Sequence, residues 1–600
     1  MTPSNKPSPL IRGLLLSTVI LLFLSTVLGG ILRTVDGVGA CPDWPQCFGS
    51  WIPPMDHTTA LVDYAHRLAS AGAGLLGFFA FLLSLRKGKP DRQGTLFLGL
   101  ANIVMALQIP LGRWLHLSEA WGLGTALHLG LALIAQALFL IVLIKVIEKP
   151  AQRQHWNFSS SYGQLALVTV ALTLLTLVTG AMMTASGAAS VCNRWPLCQG
   201  WDLTLSPAQW LSMTHRVIVL LTGIAFSGVL IQTWRTRRED PALLSAATAG
   251  AVLFLSQGLM GAVEVARSYP SPLLALHQAT AIAVWSATVI HTALWAQTPH
   301  SDHDTPRAKQ ERRNFQQTAK DLLALTKPIV VSLLLVTTFA GMVIGAKAWP
   351  RLDTTLWVLL GGFMAAGGSG AINQYIDRQD DQRMQRTQDR PIPAGRLTPG
   401  EGLAFGVGMS IISFYIMVAF VNMIAALLTM AGIVYYVLIY SIYLKKTTVQ
   451  NIVIGGGAGA IPPLVGWAAA TGGLNIPSLF LFAVVFMWTP PHFWALAIVR
   501  RKDYARADIP MLPVEQGVQK TRRQIFIYTV ELVVLTLLLP LFGLGGSVYF
   551  IFAVALGGWL LSAAWKVLKK EGNRFAWRMY RYSSMYLAFL FAALVIDALL

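Results

Sequence analysis

Charged side chains are scarce in this 600-residue chain. Asp, Glu, Lys and Arg make up 12% of it, whereas 54% of its residues are hydrophobic and its mean hydropathy is positive. Soluble chains carry about twice that charged fraction, so a soluble globular protein is excluded. Apolar runs long enough to cross a bilayer recur throughout, beginning with a retained helix at residues 10–33. We therefore predict an all-α polytopic membrane protein with about 17 transmembrane helices.

Acidic residues are also few, with 27 against 46 basic residues, which gives a formal charge of +19. The basic residues lie in separate loops, such as 86–92, 235–240 and 500–506, rather than on one face. This is the positive-inside pattern, so no nucleic-acid partner is expected. Counting helices predicts a bacterial cytoplasmic (inner) membrane protein with a cytoplasmic N-terminus and an outer C-terminus.

Cysteine is limited to four residues, all in two similar heptapeptides. CPDWPQC spans Cys41 to Cys47, and CNRWPLC spans Cys192 to Cys198. The predicted topology places both on the outer, oxidising face, where a pair six residues apart is typical of a short-loop disulfide. The alternative, a zinc site made from all four thiols, has an unusual spacing. Redox activity and a structural role both remain open for these loops.

The heptapeptides belong to an internal duplication. His66 recurs as His215 and His128 as His277, both at an offset of 149 residues. The repeat predicts two four-helix bundles, each with a histidine pair near the outer ends of its even-numbered helices. Two facing imidazoles inside such a bundle are the usual axial ligands of haem. A metal ion without porphyrin is less favoured, because no carboxylate cluster completes a coordination sphere.

The two halves differ next to the first histidine. Asp63 lies one helical turn before His66, where the second half has Ser212. A carboxylate beside a haem edge can move protons or orient water. The alternative is a helix-start residue in a solvated loop.

Residues 1–300 resemble heme A synthase in their duplicated halves, 1–150 and 151–300, their paired histidines and their cysteine loops. The resemblance implies that His66 and His128 hold substrate haem o, and that His215 and His277 hold a haem b cofactor. The implied reaction oxidises a porphyrin methyl group to a formyl group. Members of that family carry Glu where this chain has Asp63, so the catalytic carboxylate has a shorter reach here.

Residues 301–325 are predicted to be a cytoplasmic linker, followed by a second domain at 326–600. The segment NQYIDRQDDQRMQRTQDRPIPAGR runs from Asn373 to Arg396. Its residues Asn373, Asp377 and Asp381 share one helix face, and their oxygens suit Mg²⁺ that bridges to phosphates. The interleaved arginines are candidate phosphate donors: Arg378, Arg383, Arg386 and Arg390.

A second acidic segment, RKDYARADIPML, carries Asp503 and Asp508 on the same predicted face of the membrane. Two such clusters can hold a diphosphate through Mg²⁺ from both sides. Metal and cations then neutralise the leaving group of an allylic diphosphate, and the apolar bundle shelters the carbocation. The alternative reading of both segments is a solvated, positive-inside loop.

Residues 320–600 resemble the intramembrane prenyltransferases, and within them the protoheme IX farnesyltransferases. The similarity rests on LTKP at 325–328, LKKTTVQNIVIGGGAGAIPPLVGW at 444–467, TPPHFWALA at 489–497 and DYARADIPMLP at 503–513. It implies Mg²⁺ and diphosphate binding by Asn373, Asp377, Asp381 and Asp503, diphosphate contacts from Lys445, Lys446 and Asn451, and a His492 that either orients the haem or packs. Asp508 stands where this family has glycine.

Together the two resemblances imply consecutive steps, from haem b to haem o and from haem o to haem a. The implied partners are farnesyl diphosphate, haem b, haem o, the lipid bilayer, an electron donor and terminal oxidase assembly factors. A homo-oligomer is left open. The alternative function is a di-haem membrane electron carrier fused to a prenyltransferase that acts on a quinone precursor.

Overall fold

The fold is all-helical over the part of the chain that the computed structural model describes. The described residues are 9–35, 39–86, 91–117, 121–147, 158–192, 194–201, 204–297 and 314–600. Seventeen of their helices are long and apolar enough to span a membrane, and no β-strand occurs among them. The predicted fold class is therefore confirmed. The chain divides into two compact units, Met1–Lys309 and Gln310–Leu600.

Unit 1 contains eight long helices in its described residues. They are α1 (Pro9–Thr34), α2 (Thr58–Ser84), α3 (Arg92–Leu117), α4 (Trp121–Ile147), α5 (Ser161–Ala185), α6 (Pro207–Thr236), α7 (Pro241–Ala266) and α8 (Ser271–Gln297). Helices α1–α4 pack as one ring of neighbours and α5–α8 as a second, with α1 and α4 against α8 between them. Trp285 of α8 donates to the carbonyl of Leu133 of α4 across this interface at 3.0 Å.

From residue 314 onward, where its description begins, unit 2 contains nine candidate spans and several short helices. They are α9 (Phe315–Leu325), α10 (Pro328–Ala346), α11 (Leu352–Ile376), α12 (Arg378–Arg383), α13 (Pro399–Phe420), α14 (Met423–Val434), α15 (Lys445–Thr447), α16 (Asn451–Gly455), α17 (Gly457–Thr471), α18 (Ile476–Val499), α19 (Arg501–Arg506), α20 (Leu512–Glu515), α21 (Gly517–Leu538), α22 (Ser547–Lys569) and α23 (Asn573–Leu599). Successive spans alternate in direction, so five segments lie at the same end of the unit. They are the start of α10, the segment after α11, the end of α15, the segment from α19 to α20 and the turn before α23.

A π-helix, Tyr435–Leu444, joins α14 to α15 within one span. The Ser441 hydroxyl donates to the carbonyl of Tyr436, five residues earlier, at 2.7 Å. Such wide turns inside α-helices are rare and are frequent at functional sites. This one precedes the two lysines of α15 directly.

Helix α9 lies in a stretch for which a polar linker was predicted. Asn314 caps its first residues through a side-chain hydrogen bond to the backbone of Gln316 at 3.0 Å. Leu325 at its end is fully buried in a cluster that includes Ala371 and Ile392. The helix Phe315–Leu325 thus lies inside the stretch 301–325 that is predicted to be a linker, and its apolar face packs against α11. The linker boundaries stay a prediction. Residues 298–313 lie outside the described residues.

Candidate functional site

The four histidines of the duplication occupy matching places in the two bundles of unit 1. His66, His128, His215 and His277 lie six to eight residues after the first residue of α2, α4, α6 and α8. Within each bundle the two imidazoles are close enough for charge on one to act on the other. The structure thus brings His66 together with His128, and His215 together with His277.

Each imidazole packs against a glycine of the preceding helix. The glycine–histidine pairs, with the distance from an ideal Cβ on the glycine to the ring Cε1, are Gly29–His66 (3.1 Å), Gly112–His128 (3.5 Å), Gly180–His215 (3.2 Å) and Gly261–His277 (3.4 Å). A Cβ at Gly29 or Gly180 would press on the ring, whereas at Gly112 and Gly261 it would be in ordinary van der Waals contact with it. The duplication therefore preserves a close approach of helix backbone to histidine as well as the histidines themselves.

Hydrogen bonds orient one ring in each bundle. His66 Nδ1 lies 2.8 Å from the carbonyl oxygen of Ser25, and His215 Nδ1 lies 3.0 Å from the hydroxyl of Thr179. A metal-bound histidine usually has its second ring nitrogen engaged in this way. These contacts leave Nε2 of both rings as the ligand nitrogen, so both histidines fit an axial role.

Glu264 is a buried carboxylate that the sequence analysis did not single out. Its Oε1 atom lies 3.4 Å from Nδ1 of His277, and the residue is 6% exposed. The equivalent position in the first bundle, 149 residues earlier, is Leu115. An acidic residue inside an apolar run calls for a functional explanation, and that signal was available in the sequence. The second histidine pair therefore has a carboxylate that the first pair lacks.

The two cysteine heptapeptides form the disulfides Cys41–Cys47 and Cys192–Cys198. The arginine after the first histidine of each half holds its loop. Arg67 donates to the carbonyls of Cys41 and Asp43, and Arg216, 149 residues later, donates to those of Arg194 and Pro196. The dipeptide His-Arg in both halves is the sequence signal for this contact.

Asp63 is buried beside the first disulfide loop rather than at a solvated helix start. One of its carboxylate oxygens accepts from the backbone N–H of Cys41 at 3.1 Å, and both oxygens accept from Arg67. Ser212 replaces it in the second half, where the Tyr269 hydroxyl instead donates to the carbonyl of Cys192 at 2.8 Å. The contacts of Asp63 in this structure therefore hold the loop.

The duplication supplies a matched test of this ion pair. We expect Arg67→Met to destabilise unit 1 by about 3 kcal/mol, because it leaves the buried Asp63 without its cation. Arg216→Met removes the corresponding loop contacts but strands no carboxylate, so a smaller loss of about 1 kcal/mol is expected. Thermal unfolding of the purified, oxidised protein measures both variants. Equal losses would show that the pairing of Asp63 is not what stabilises the first loop.

In unit 2, a chain of polar contacts links three of the elements that meet at one end. Lys327, just before α10, donates to the Asn373 side-chain oxygen at 2.8 Å. The Asn373 amide donates to Asp377 Oδ2 at 2.9 Å and to the Ser441 hydroxyl at 3.0 Å. Lys445 of α15 donates to the same Asp377 oxygen at 2.5 Å. The π-helix thus positions Ser441 and Lys445 against the acidic segment.

The other oxygen of Asp377 has a different environment. Asp377 Oδ1 is buried and has no hydrogen-bond partner among the described residues. A buried carboxylate oxygen without a donor is costly, and a hard cation is a suitable partner for it. Nearby, Asp381 pairs with Arg390 at 2.7 Å, and Asp380 pairs with Lys446 at 2.7 Å. The oxygen chemistry of Asp377 therefore fits Mg²⁺.

Lys327 has no assigned role in the sequence analysis, although LTKP was part of the resemblance. Its backbone is left-handed, with φ of 54°, which aims the side chain at Asn373. Burial lowers the pKa of Lys327 to about 7. Its Nζ also lies 3.4 Å from the Tyr436 hydroxyl. Lys327 and Tyr436 are site residues that only the fold reveals, because their sequence neighbours are ordinary helix residues.

Asp503 lies in α19, and the segment that carries it packs against the Asn373–Arg396 segment. Its Oδ1 atom accepts from Arg506 at 2.9 Å. Asp508 is exposed, in a left-handed conformation, with Arg383 3.6 Å away. Within the described ranges, no three His, Cys, Asp or Glu residues gather as a metal-binding group. Any metal held here would therefore need oxygens from a ligand as well as from Asp377 and Asp381.

Three further residues predicted for the diphosphate site are Arg378, Arg386 and Asn451. The Arg378 guanidinium lies over the Tyr375 ring, 4.4 Å from its centroid, and Arg386 acts electrostatically on Tyr504. The Asn451 amide donates to the carbonyl of Pro510 at 3.3 Å, which joins α16 to the second acidic segment.

His492 is buried in an aromatic cluster of α18 and α23. Its ring stacks on Trp488 at 4.2 Å and lies 4.5 Å from the Tyr580 ring, and its Nδ1 is 2.9 Å from the Ser583 hydroxyl. These contacts fix the ring between α18 and α23, and its role stays a prediction.

The arrangement in unit 2 places lysines, arginines and carboxylates together at the end of an apolar helical bundle. Such a site can hold a metal-bound diphosphate while its organic chain lies among the helices. Two family matches agree with this division of the chain. The UbiA prenyltransferase family matches residues 334–590, and the cytochrome oxidase assembly protein family COX15-CtaA matches residues 12–289 and 204–353. The class is thus an intramembrane prenyltransferase with a heme A synthase-type domain before it.

Similar proteins narrow the prenyltransferase class to one family of enzymes. A protoheme IX farnesyltransferase of Chloroflexus aurantiacus is 34% identical over 96% of this chain and 97% of its own length. One from Roseiflexus sp. is 41% identical over 73% of this chain and 84% of its own. The solved structure of a UbiA homolog from Archaeoglobus fulgidus bound to GPP and Mg²⁺ covers 46% of this chain and 99% of its own at 15% identity, with a TM-score of 0.36. The chain belongs to the protoheme IX farnesyltransferases, in the form that also carries a heme A synthase domain.

Proposed function

We propose that unit 2 transfers a farnesyl group from farnesyl diphosphate to haem b, and that unit 1 oxidises the resulting haem o to haem a. The proposed domains are residues 1–300, in halves 1–150 and 151–300, and residues 326–600. The observation that carries the transferase assignment is the pair of environments around Asp377. One carboxylate oxygen receives Lys445 and Asn373, and the other is buried without a donor.

In the proposed transfer, the bond between farnesyl C1 and the diphosphate oxygen breaks while C1 bonds to the outer carbon of a haem b vinyl group. Water then adds its hydroxyl to the inner vinyl carbon, and its proton leaves with the released diphosphate. Bound Mg²⁺ would supply positive charge to the leaving diphosphate. Asp377 and Asp381 would hold that metal. Lys327, Arg390 and Lys445 lie close enough to these carboxylates to reach a shared diphosphate and stabilise it. The surrounding apolar helices exclude water from the farnesyl carbocation.

Asp503 is proposed to support this site from α19, and the proposed orientation places the whole site on the cytoplasmic side. The further proposed diphosphate contacts are Arg378, Arg386, Lys446 and Asn451. Arg386 is supported by its electrostatic interaction with Tyr504 of the second acidic segment, and Asn451 by its hydrogen bond to the carbonyl of Pro510.

In unit 1, His66 and His128 are proposed to hold haem o, and His215 and His277 to hold haem b. A resident haem b would supply one-electron chemistry. Ser25 and Thr179 orient the first histidine of each pair through Nδ1. The glycines beside the rings let each imidazole lie close to the backbone of the preceding helix. Asp63 holds the outer cysteine loop beside His66 and His128 in this proposal. It also handles protons for the oxidation.

The test is mass spectrometry of haems from membranes of a host that makes only haem b and expresses this chain. Haem o is expected if unit 2 is active, and haem a or its hydroxylated precursor if unit 1 is active as well. Recovery of haem b alone from folded protein with farnesyl diphosphate present would refute both assignments. A prenylated quinone precursor in its place would favour the electron-carrier alternative.

Glu264 gives a test of the resident haem that does not depend on turnover. The negative charge of an ionised carboxylate beside a metal-bound histidine favours ferric over ferrous iron. Glu264→Gln should raise the midpoint potential of the bound haem by about 60 mV, the equivalent of a tenfold change in a one-electron equilibrium. Potentiometric titration of the purified protein measures this. An unchanged potential would mean that Glu264 does not act on His277.

A further inference from the structure

A cavity of about 620 Å³ opens at the same end of unit 2 as the acidic segments. This volume is in the range of small-molecule sites. It lies between the end of α18, helix α19, the start of α21 and the turn before α23. We call it the arginine pocket, and its charged lining residues other than Asp503 are Arg500, Arg501, Lys502, Arg506, Arg522 and Glu571.

Positive charge dominates this pocket. Five cationic side chains line it, against the carboxylates of Asp503 and Glu571. Asp503 is already paired with Arg506, and the side chain of Glu571 is 94% exposed. Arg522 is the informative residue, because only 13% of its side chain is exposed and its carboxylate neighbour is 3.4 Å away in solvent. A guanidinium held in this way is better compensated by an anion inside the pocket.

The pocket is separate from the cations of the diphosphate site but borders them. Lys327, Arg390 and Lys445 surround Asp377 and Asp381 and do not line the pocket. Gln385, from the segment that carries those aspartates, is part of the pocket wall. A molecule anchored in the pocket would therefore lie beside the prenyl donor.

We propose that the arginine pocket binds the two carboxylate side chains of the haem that accepts the prenyl group. Haem b carries both carboxylates on one edge, and the rest of its ring is apolar. A cationic pocket at the end of an apolar bundle matches that distribution. Arg522 makes the central contact with these carboxylates. Glu571 weakens their binding, because its own carboxylate competes for Arg522. The inference rests on the proposed farnesylation of haem by unit 2. A phospholipid phosphate is the other source of the same anionic chemistry.

The test measures initial rates of haem o formation by the full chain in nanodiscs of phosphatidylcholine. The acceptors are haem b and its dimethyl ester, which has no carboxylates. Arg522→Gln should raise the KM for haem b about tenfold, the effect of one charge-assisted contact, with kcat and the KM for farnesyl diphosphate unchanged. The wild-type KM should be higher for the ester, and Arg522→Gln should not raise it further. Arg523→Gln is the control, because Arg523 does not line the pocket.

Glu571→Gln should lower the KM for haem b, and this opposite sign separates a binding effect from misfolding. Equal KM values for haem b in wild type and Arg522→Gln, or equal wild-type use of acid and ester, would overturn the proposal. A wild-type rate that requires added phosphatidylglycerol would also overturn the proposal if Arg522→Gln kept the preference for haem b over its dimethyl ester. The occupant of the pocket would then be a lipid. Wild type that makes no haem o would refute the proposed function itself.

Discussion

Asp377→Asn is expected to lower the rate of haem o formation by about a thousandfold, the upper range for removal of one charge-stabilising group. The substitution keeps the shape of the side chain but removes the charge. Lys445 then loses the counter-ion that holds it 2.5 Å from Asp377, and the unpartnered Oδ1 loses its affinity for a hard cation. Both the metal and the lysine would be misplaced for the leaving diphosphate.

The measurement is haem o in membranes, with purified protein assayed at saturating farnesyl diphosphate. Asp389→Asn is a matched control, because Asp389 lies in the same segment with an exposed side chain and is not among the proposed ligands. Thermal unfolding of the purified variant, compared with wild type and Asp389→Asn, reports whether unit 2 is folded. A variant that retains more than a tenth of the wild-type rate would show that Asp377 holds no catalytic metal.

His277→Ala and His66→Ala are expected to separate the two haem sites of unit 1. His277→Ala should abolish the resident haem b spectrum, because the ring opposite His215 is lost. His66→Ala should leave that spectrum intact. Both variants should make haem o and no haem a, since each removes one of the two sites that the oxidation needs.

Optical spectra of the purified protein and haem extraction from membranes distinguish these outcomes. His57→Ala is the control, because His57 is exposed and precedes α2. If His277→Ala kept a bis-histidine haem, the resident site would not be the second bundle. If His66→Ala still made haem a, the first pair would not hold the substrate.

The membrane spans and the histidine pairs could be predicted because their signals are local. An apolar run reports a span whatever it packs against, and a repeat at a fixed offset marks His66 and His215 as equivalent. Lys327 could not be assigned, because its role depends on a left-handed turn that aims it at Asn373, 46 residues later. The repeated His-Arg dipeptide marks Arg67 as equivalent to Arg216, but its partners could not be predicted, because they lie in a loop that the disulfide and the helix bring together. Charge pattern alone does not distinguish such arginines from those of positive-inside loops.

Tyr435–Leu444 has a consequence for how this span tolerates changes in length. A π-helix holds about one more residue than an α-helix of the same rise, so a deletion there can be absorbed by conversion to regular α-helix. Conversion would keep the segments on either side close to their present register, but it would remove the wide turn in which the Ser441 hydroxyl donates to the carbonyl of Tyr436. Ser441 would then move relative to the Asn373 amide that contacts it. Loss of one residue here should therefore impair farnesyl transfer while the span remains inserted.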